Sequence, residues 1–471
     1  NPNTLKKSIL LLLIFCAGLT TSCFEDTDDN PRAASELEIQ NFIYRGLNFF
    51  YLYKADKPEL ADDAFADEQE LNNFLSSYDS PESLFDFLTV PQDRFSILVD
   101  DYIELENELS GVSKSNGMEF GLVRYPNDPT NVFGYVRYVL PDTDAENAGL
   151  QRGDIFNTID GQQINENNFN TLLSQDTYTI GLATFDGTTI TSTGETASLT
   201  KQQYTENPVY IAKTLDVQGQ KIGYIMYNSF TRDFDNDLNA AFGALQADGV
   251  TDLVLDLRYN GGGAVETAVD LASMITGQFN GELFYTEQWN PDRQEEYAEN
   301  GLFDASISDG TATNSLQLTN VYILTTGRTA SASELVINSL NPYINVVQIG
   351  QNTTGKFQAS FLLYDAPAPG FRRSQANPNH TYAMLPLVFK TANASGNTDY
   401  VDGLTPDIAI DEDYANLGTL GNVNEPFLAT ALSEIVPGFP KPASRNVFSD
   451  SEEISESKAN SPLYQIMLAE H

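Results

Sequence analysis

Apolar residues along this chain change their spacing twice, and each change marks a different kind of element. Between residues 36 and 110, Ile39, Phe42, Ile43, Leu47, Phe49 and Phe50 crowd one face near helical period, and Leu84, Phe85, Phe87 and Leu88 repeat it. Beyond Pro91, the positions Phe95, Ile97, Leu98, Tyr102, Ile103 and Leu105 continue the series, so the pattern predicts helices as far as about Leu109. Stripes of this kind are core positions, and the aromatics are assigned to packing rather than to a ligand cage. From 111 to 205, short β-like runs such as Phe120-Gly121-Leu122-Val123 and Gly134-Tyr135-Val136-Arg137-Tyr138-Val139 alternate with Gly, Asn and Asp turns. From 206 to 425 strands and helices alternate, with strands near 221–227, 253–257, 321–324 and 346–350 and helices near 234–245, 264–275 and 334–340. The remainder, 426–471, turns polar after about residue 440 and is predicted to be a tail, with 449–461 mobile. There is no repeat at solenoid or propeller spacing.

Composition narrows the picture. A hydrophobic content of 41% supports real cores over 471 residues, enough for about three domains. The net charge of −41 argues against nucleic acid as a partner, because phosphate binding needs clustered Lys and Arg and no dense basic run exists. Cys16 and Cys23 are the only cysteines, and both precede the predicted domains. The domains therefore hold no disulfide, no cysteine metal site and no cysteine nucleophile. Lys6-Lys7 followed by an apolar run over 8–19 reads as a targeting segment too short to span a bilayer comfortably. With Thr20-Thr21-Ser22 leading to Cys23, it resembles a bacterial lipoprotein signal, although Leu19 stands four residues before the cysteine rather than three. That resemblance implies a signal peptide over 1–22, lipidation at Cys23, an acidic tether over 23–35 and anchoring to the outer membrane, facing the periplasm or the surface. The alternative is a plain secretory signal.

Candidate chemistry concentrates in Thr325-Thr326-Gly327-Arg328-Thr329-Ala330-Ser331-Ala332-Ser333-Glu334. A serine where a strand turns into a helix sits beside free backbone N–H groups and the positive helix end, a setting suited to stabilising an oxyanion. His380 and His471 are the only histidines, and His380 falls in the loop-like Asn377-Pro378-Asn379-His380, so a Ser-His-Asp triad is poorly supplied and a lysine base is the better candidate. The Ser-Ala-Ser-Glu run, followed 25 positions after Ser331 by the lysine of Gly355-Lys356, resembles the S41 family of carboxy-terminal processing proteases. Asp256-Leu257-Arg258-Tyr259-Asn260-Gly261-Gly262-Gly263 fits a second motif of that family, and 403–408 its closing Gly-x-x-Pro-Asp segment. The resemblance implies Ser331 as nucleophile, Lys356 as general base, and the N–H groups of Gly262 and Ala332 as the oxyanion hole. The family often places a glutamine four residues after the lysine. Here that position is Ser360 and the glutamine is Gln358; in an extended segment both share a face with Lys356, so either could serve. A neutral lysine requires burial, for which Phe357, Phe361 and Leu362 are near in sequence.

The stretch from Pro141 to Gly161, with Ala148-Gly149-Leu150, Gly153-Asp154-Ile155 and Asp160-Gly161, resembles a PDZ domain. Physically it predicts a short helix ended by Gly149, a strand from Asp154 and a hairpin turn at Asp160-Gly161. The resemblance implies that Phe120, Gly121 and Leu122 form the loop that captures a polypeptide chain end. The alternative is a β-domain that only braces the enzyme. The expected architecture is a multidomain α/β protein: a helical N-terminal domain over 36–110, a PDZ-like β-domain over 111–205 and a crotonase-like S41 protease core over 206–425. The expected function is a serine endopeptidase with a Ser-Lys dyad acting on polypeptides, needing no metal or organic cofactor. A catalytically inactive peptide-binding lipoprotein of the same fold is the alternative, and a glycan-linked accessory role has no motif behind it.

Overall fold

The computed structural model describes residues 32–126, 128–442 and 453–471, so the expected signal segment and Cys23 lie outside the described residues. Helix α1 (Glu36–Phe50) begins where Ser35 and Glu38 satisfy each other's backbone and side-chain groups. It buries Ile39, Phe42, Ile43, Leu47 and Phe50, the predicted face. Helices α2 (Glu68–Leu75) and α3 (Pro81–Leu88) pack beside it; Ser80 caps α3 and Pro81 occupies its first turn. These helices share one core with the α/β region. The Phe50 ring lies 6.2 Å from Trp289 and 5.4 Å from Phe361, and a continuous apolar cluster runs from Phe42 to Leu257 and Val336.

The helical pattern fails after Pro91. The Asp93 carboxylate accepts the N–H groups of Phe95 and Ser96 at 2.9 Å each, turning the chain. Residues beyond it form strand β1 (Ile97–Val99), antiparallel to 383–385, before helix α4 (Tyr102–Leu109). Strands β2 (Met118–Tyr125), β3 (Asp128–Val139), β4 (Ile155–Ile159), β5 (Thr177–Phe185) and β6 (Ile190–Thr200) then make an antiparallel sheet in that order, with its own core of Phe120, Val136, Phe156, Ile180 and neighbours. Asp160 and Gly161 both take positive φ, 51° and 75°, as a tight two-residue turn requires.

The core α/β region is a sheet ordered β7 (Val209–Val217), β8 (Gln220–Tyr227), β9 (Asp252–Asp256), β12 (Asn320–Thr325), β13 (Asn345–Gly350) and β16 (Ile408–Ala409), all parallel except the first pair. Helix α5 (Asp235–Asp248) links β8 to β9. A second sheet contains β10 (Gly263–Ala264), β11 (Leu283–Trp289), β14 (Gln358–Ser360) and β15 (Leu387–Ala392). Helices α6 (Val265–Thr276) and α7 (Ala332–Leu340) are buried along nearly their whole length.

The expected tail is replaced by structure over 426–435 and 453–468, while 443–452, with part of the stretch expected to be mobile, lies outside the described residues. Helix α8 (Pro426–Ile435) buries Phe427, Leu428, Ala431 and Leu432 against the parallel sheet. Beyond the undescribed stretch, β17 (Glu453–Glu456) joins the edge of β2, and β18 (Met467–Leu468) inserts between β10 and β14. The polarity that suggested mobility belongs to side chains that make ion pairs: Glu453 and Glu456 meet Arg137 and Arg328.

Arg258 fixes the junction of these parts. It is fully buried, with Nη2 2.6 Å from Asp256 Oδ2 and Nη1 2.7 Å from Glu425 Oε1 at the start of α8. Burial alone would raise the Asp256 carboxyl, but the Arg258 charge and hydrogen bonds, with that of Tyr224, outweigh it and hold it below the usual range. Replacing Arg258 with Met leaves buried Asp256 without its cation and Glu425 with only Arg152, at 4.0 Å. The expected loss is about 3–5 kcal/mol of stability by chemical denaturation; an unchanged transition midpoint contradicts this account.

Candidate active site

The chain leaves β12 through 326–330 and enters α7 at Ser331. Short hydroxyl side chains stitch this loop to the one after β9. Thr329 Oγ1 donates to the Leu257 carbonyl at 2.8 Å, Ser333 Oγ to the Asn260 carbonyl at 3.2 Å, and Thr326 Oγ1 to the Arg258 carbonyl. The Ala330 N–H also reaches Asn260 O, at 3.1 Å. Small residues are required because two backbones approach this closely. Gly262 (φ 105°) shows the limit: a Cβ there would lie 2.7 Å from Ser331 Cβ and 2.9 Å from its Oγ.

Ser331 itself is buried at φ 65° and ψ −116°, a conformation rarely taken by residues other than glycine. Its Oγ has no hydrogen-bond partner. Strain and an unpartnered hydroxyl at the foot of a helix, at one residue, are the marks of a functional position.

Glu334 ties Ser331 to Lys356. Its Oε2 accepts the Ser331 N–H at 2.7 Å and the Lys356 N–H at 2.9 Å, while Oε1 accepts the Gly355 N–H at 2.7 Å and the Thr353 hydroxyl. One carboxylate thus holds the serine and lysine backbones side by side. Burial lifts the Glu334 carboxyl to about 7, against these donated hydrogen bonds, which favour the anion. Sequence reasoning assigned Glu334 no role. The signal available was its place three residues after a serine at a helix start, the spacing of a capping box.

Lys356 is buried, and burial lowers its pKa to about 7 against the opposing charges of Asp93 and Glu334. The ring beside its amine is that of Phe95, 4.8 Å from Nζ to centroid. The expected neighbours are placed differently: Phe361 packs on Phe50, Trp289 and His471, and Phe357 on Tyr400. The dry wall therefore includes the loop after α3, which Arg94 also pins by donating to Gly355 O at 3.3 Å. Sequence distance hid this contribution.

Gln358 does not orient the lysine in this geometry. Its Nε2 donates to the Tyr53 hydroxyl at 2.9 Å and its Oε1 has no partner. Ser360 is also buried with an unpartnered Oγ. The expected oxyanion donors need a similar correction. The Gly262 N–H is used by Asn260 Oδ1 at 2.9 Å, whereas the Gly263 N–H donates to a peptide carbonyl, that of Ile466, at 2.7 Å. Ala332 stands at the first position of α7, where an N–H has no intrahelical acceptor. Phe120, Gly121 and Leu122 form not a loop but part of strand β2, and Gly121 and Leu122 pair with Glu456 and Ser455. His380 is held between Asp365 at 3.0 Å and the Tyr382 N–H, beside Phe42, and so is engaged away from Ser331.

Comparison with known proteins bears on the same residues. Residues 221–376 match the model of peptidase family S41, and residues 38–97 match that of the peptidase S41 N-terminal domain. A carboxyl-terminal-processing protease of Picosynechococcus is 27% identical over 303 residues, 60% of this chain and 65% of the relative. A chloroplastic C-terminal processing peptidase of Tetradesmus obliquus is 28% identical over 228 residues, 46% of each chain. The chain thus spans less than two thirds of the length of these two relatives. The crystal structure of a putative S41 protease from Bacteroides fragilis superposes with a TM-score of 0.63 at 27% identity, covering 84% of this chain and 96% of that one. The first model ends past the lysine and the second takes in the aromatic that shields it, so the two halves of the site fall within the two stretches of this chain that match peptidase S41 domains, and the chain is similar over both to carboxyl-terminal-processing proteases.

Proposed function

We propose that this chain is a serine endopeptidase acting on polypeptides, with Ser331 as nucleophile and Lys356 as general base. The observation that carries the reading is the Glu334 bridge. It binds the backbone of a strained serine and that of a buried lysine whose pKa is lowered to about 7, so an uncharged amine is available near neutral pH. In the reaction, the Ser331 proton passes to Lys356 Nζ as Oγ bonds to the substrate carbonyl carbon. The protonated amine then returns the proton to the leaving nitrogen, the C–N bond breaks, and water releases the acyl group by the same route. The Oγ is unpartnered here, so the step needs a Ser331 or Lys356 rotamer change to close the hydrogen bond, as many catalytic pairs do only with substrate bound. The N–H of Gly263, already on a peptide carbonyl, and that of Ala332 are suited to the oxyanion; Gly262 could join only by releasing Asn260.

The β-domain reads as PDZ-like, supported by the short helix, the Asp160-Gly161 turn and an edge strand that accepts a further strand. The α/β core reads as crotonase-like. A peptide-binding protein without turnover is the second reading, favoured by the unpartnered Gln358 Oε1. For location, the sequence before residue 32 supports a lipid anchor at Cys23 in the outer membrane. Cys23→Ala is expected to move the expressed protein from the membrane fraction to the soluble fraction, and unchanged fractionation counts against the anchor.

The two readings separate on an unstructured polypeptide followed by mass spectrometry. The unaltered chain is expected to cut it, and Ser331→Ala and Lys356→Ala to lose at least about a thousandfold in kcat. Equal cleavage by all three ends the peptidase proposal, and no cleavage by the unaltered chain favours the second reading. The pH profile has a fixed sign. Lys356 is active when neutral, so kcat/KM is expected to rise through about pH 7. A rate that falls across that interval contradicts the assignment.

A further inference from the structure

The segment 453–469 follows a path through the molecule that an unrelated surface strand would not take. At its start, β17 extends the β-domain sheet along β2, with Glu453 opposite Val123 and Glu456 opposite Gly121. Ser457 continues the contact: its N–H donates to Phe120 O at 3.0 Å and its hydroxyl to Glu119 at 2.6 Å. At its end, β18 is a strand bonded on both sides. Met467 pairs with Gly263, Leu468 pairs with Ser360, and the Ala469 N–H donates to Ser360 O at 3.0 Å. The two walls of this slot are the glycine loop beside the serine and the strand that follows the lysine.

Between these ends the segment crosses the serine. The Ile466 carbonyl accepts the Gly263 N–H, and a Cβ built on Gly262 would lie 2.4 Å from Ile466 O and 2.9 Å from Ser331 Oγ. The carbonyl and the hydroxyl therefore flank a single point. Gln465, the residue before, takes φ 57°, and its Nε2 donates to Thr354 Oγ1 at 3.2 Å. Ile466 and Met467 are buried.

Charge selects the occupant of the first half of this path. Arg137 is buried, and Arg328, three residues before the serine, is mostly so. Among the described residues the carboxylates paired with both are Glu453 and Glu456, with Arg328 Nη2 2.9 Å from Glu453 and Nη1 3.2 Å from Glu456. Two buried guanidiniums with no carboxylate partner are costly, so this part of the path demands an acidic peptide.

We infer that residues 453–469 are a tethered occupant of the chain's own polypeptide-binding path, and that the path accepts in trans an extended polypeptide with two carboxylates three residues apart upstream of an apolar stretch at Ser331. The inference builds on the peptidase reading for the nature of the cleft. A tethered ligand competes at a high effective concentration, so the path is closed to weak partners until the segment is displaced.

The test uses the full chain carrying Ser331→Ala, so that no bond is cut, and a fluorescein-labelled synthetic peptide of residues 451–471. Adding Glu453→Gln and Glu456→Gln to the chain is expected to tighten binding of this probe at least about tenfold by anisotropy, because the competing segment loses its ion pairs. The same two changes made in the probe are expected to abolish that gain. Hydrogen exchange provides a second readout: amides of 466–469 are expected to be protected in the unaltered chain and to exchange at least about tenfold faster in the Gln pair. Equal probe binding by both chains, no binding by either, or free exchange in the unaltered chain overturns the inference. Neither readout needs turnover. A chain that shows both effects but cuts nothing leaves this inference standing while the peptidase reading fails, and cleavage with neither effect does the reverse.

Discussion

The site depends on one buried carboxylate. Glu334 accepts hydrogen bonds from Ser331, Thr353, Gly355 and Lys356, segments that arrive from either side of β13. Without it, the loop entering α7 and the loop entering β14 would each bury N–H groups that have no other acceptor nearby. These bonds offset the cost of burying its charge only in part, since burial still lifts the carboxyl to about 7. The same arrangement has an electrostatic side effect. An anion beside Lys356 favours the ammonium, so the neutral amine must be secured by dryness. Geometry and acidity at this site thus pull against each other, and the packing around Phe95 decides the balance.

Much of the architecture was legible because it rests on local chemistry. The apolar runs of β9 and β12, the glycines after β9 and the turn at Asp160-Gly161 are set by neighbours in sequence. That the Ser331 and Lys356 backbones lie side by side was legible in their motif spacing. What stayed hidden was decided by contacts far along the chain. Ile97 and Leu98 look helical until Asp93 turns the chain and 383–385 offers an edge. Glu453 and Glu456 look like solvated charges until Arg137 and Arg328 are placed opposite them. Gln358 shares a face with the lysine but is claimed by Tyr53, which no spacing rule foretells.

Ion pairs organise the boundary between the β-domain and the α/β core. Arg258 reaches Asp256 and Glu425, Arg152 reaches Glu412, and Arg137 reaches the β17 carboxylates. In a chain with 66 acidic and 25 basic side chains, nearly every arginine of this boundary answers several acids. Such pairs add little net stability over apolar packing, but they penalise any misalignment that leaves a charge alone. The boundary therefore specifies one orientation of the two sheets more strongly than it cements them.

Phe95 belongs to a loop that α1 and α3 hold in place through Tyr51, whose hydroxyl donates to Asp93 at 2.9 Å and accepts the Val90 N–H at 3.0 Å. The proton affinity of an amine more than two hundred positions later in the chain is thus governed by how firmly the first helices sit. Any loosening there would admit water beside the amine and weaken the burial that lowers its pKa.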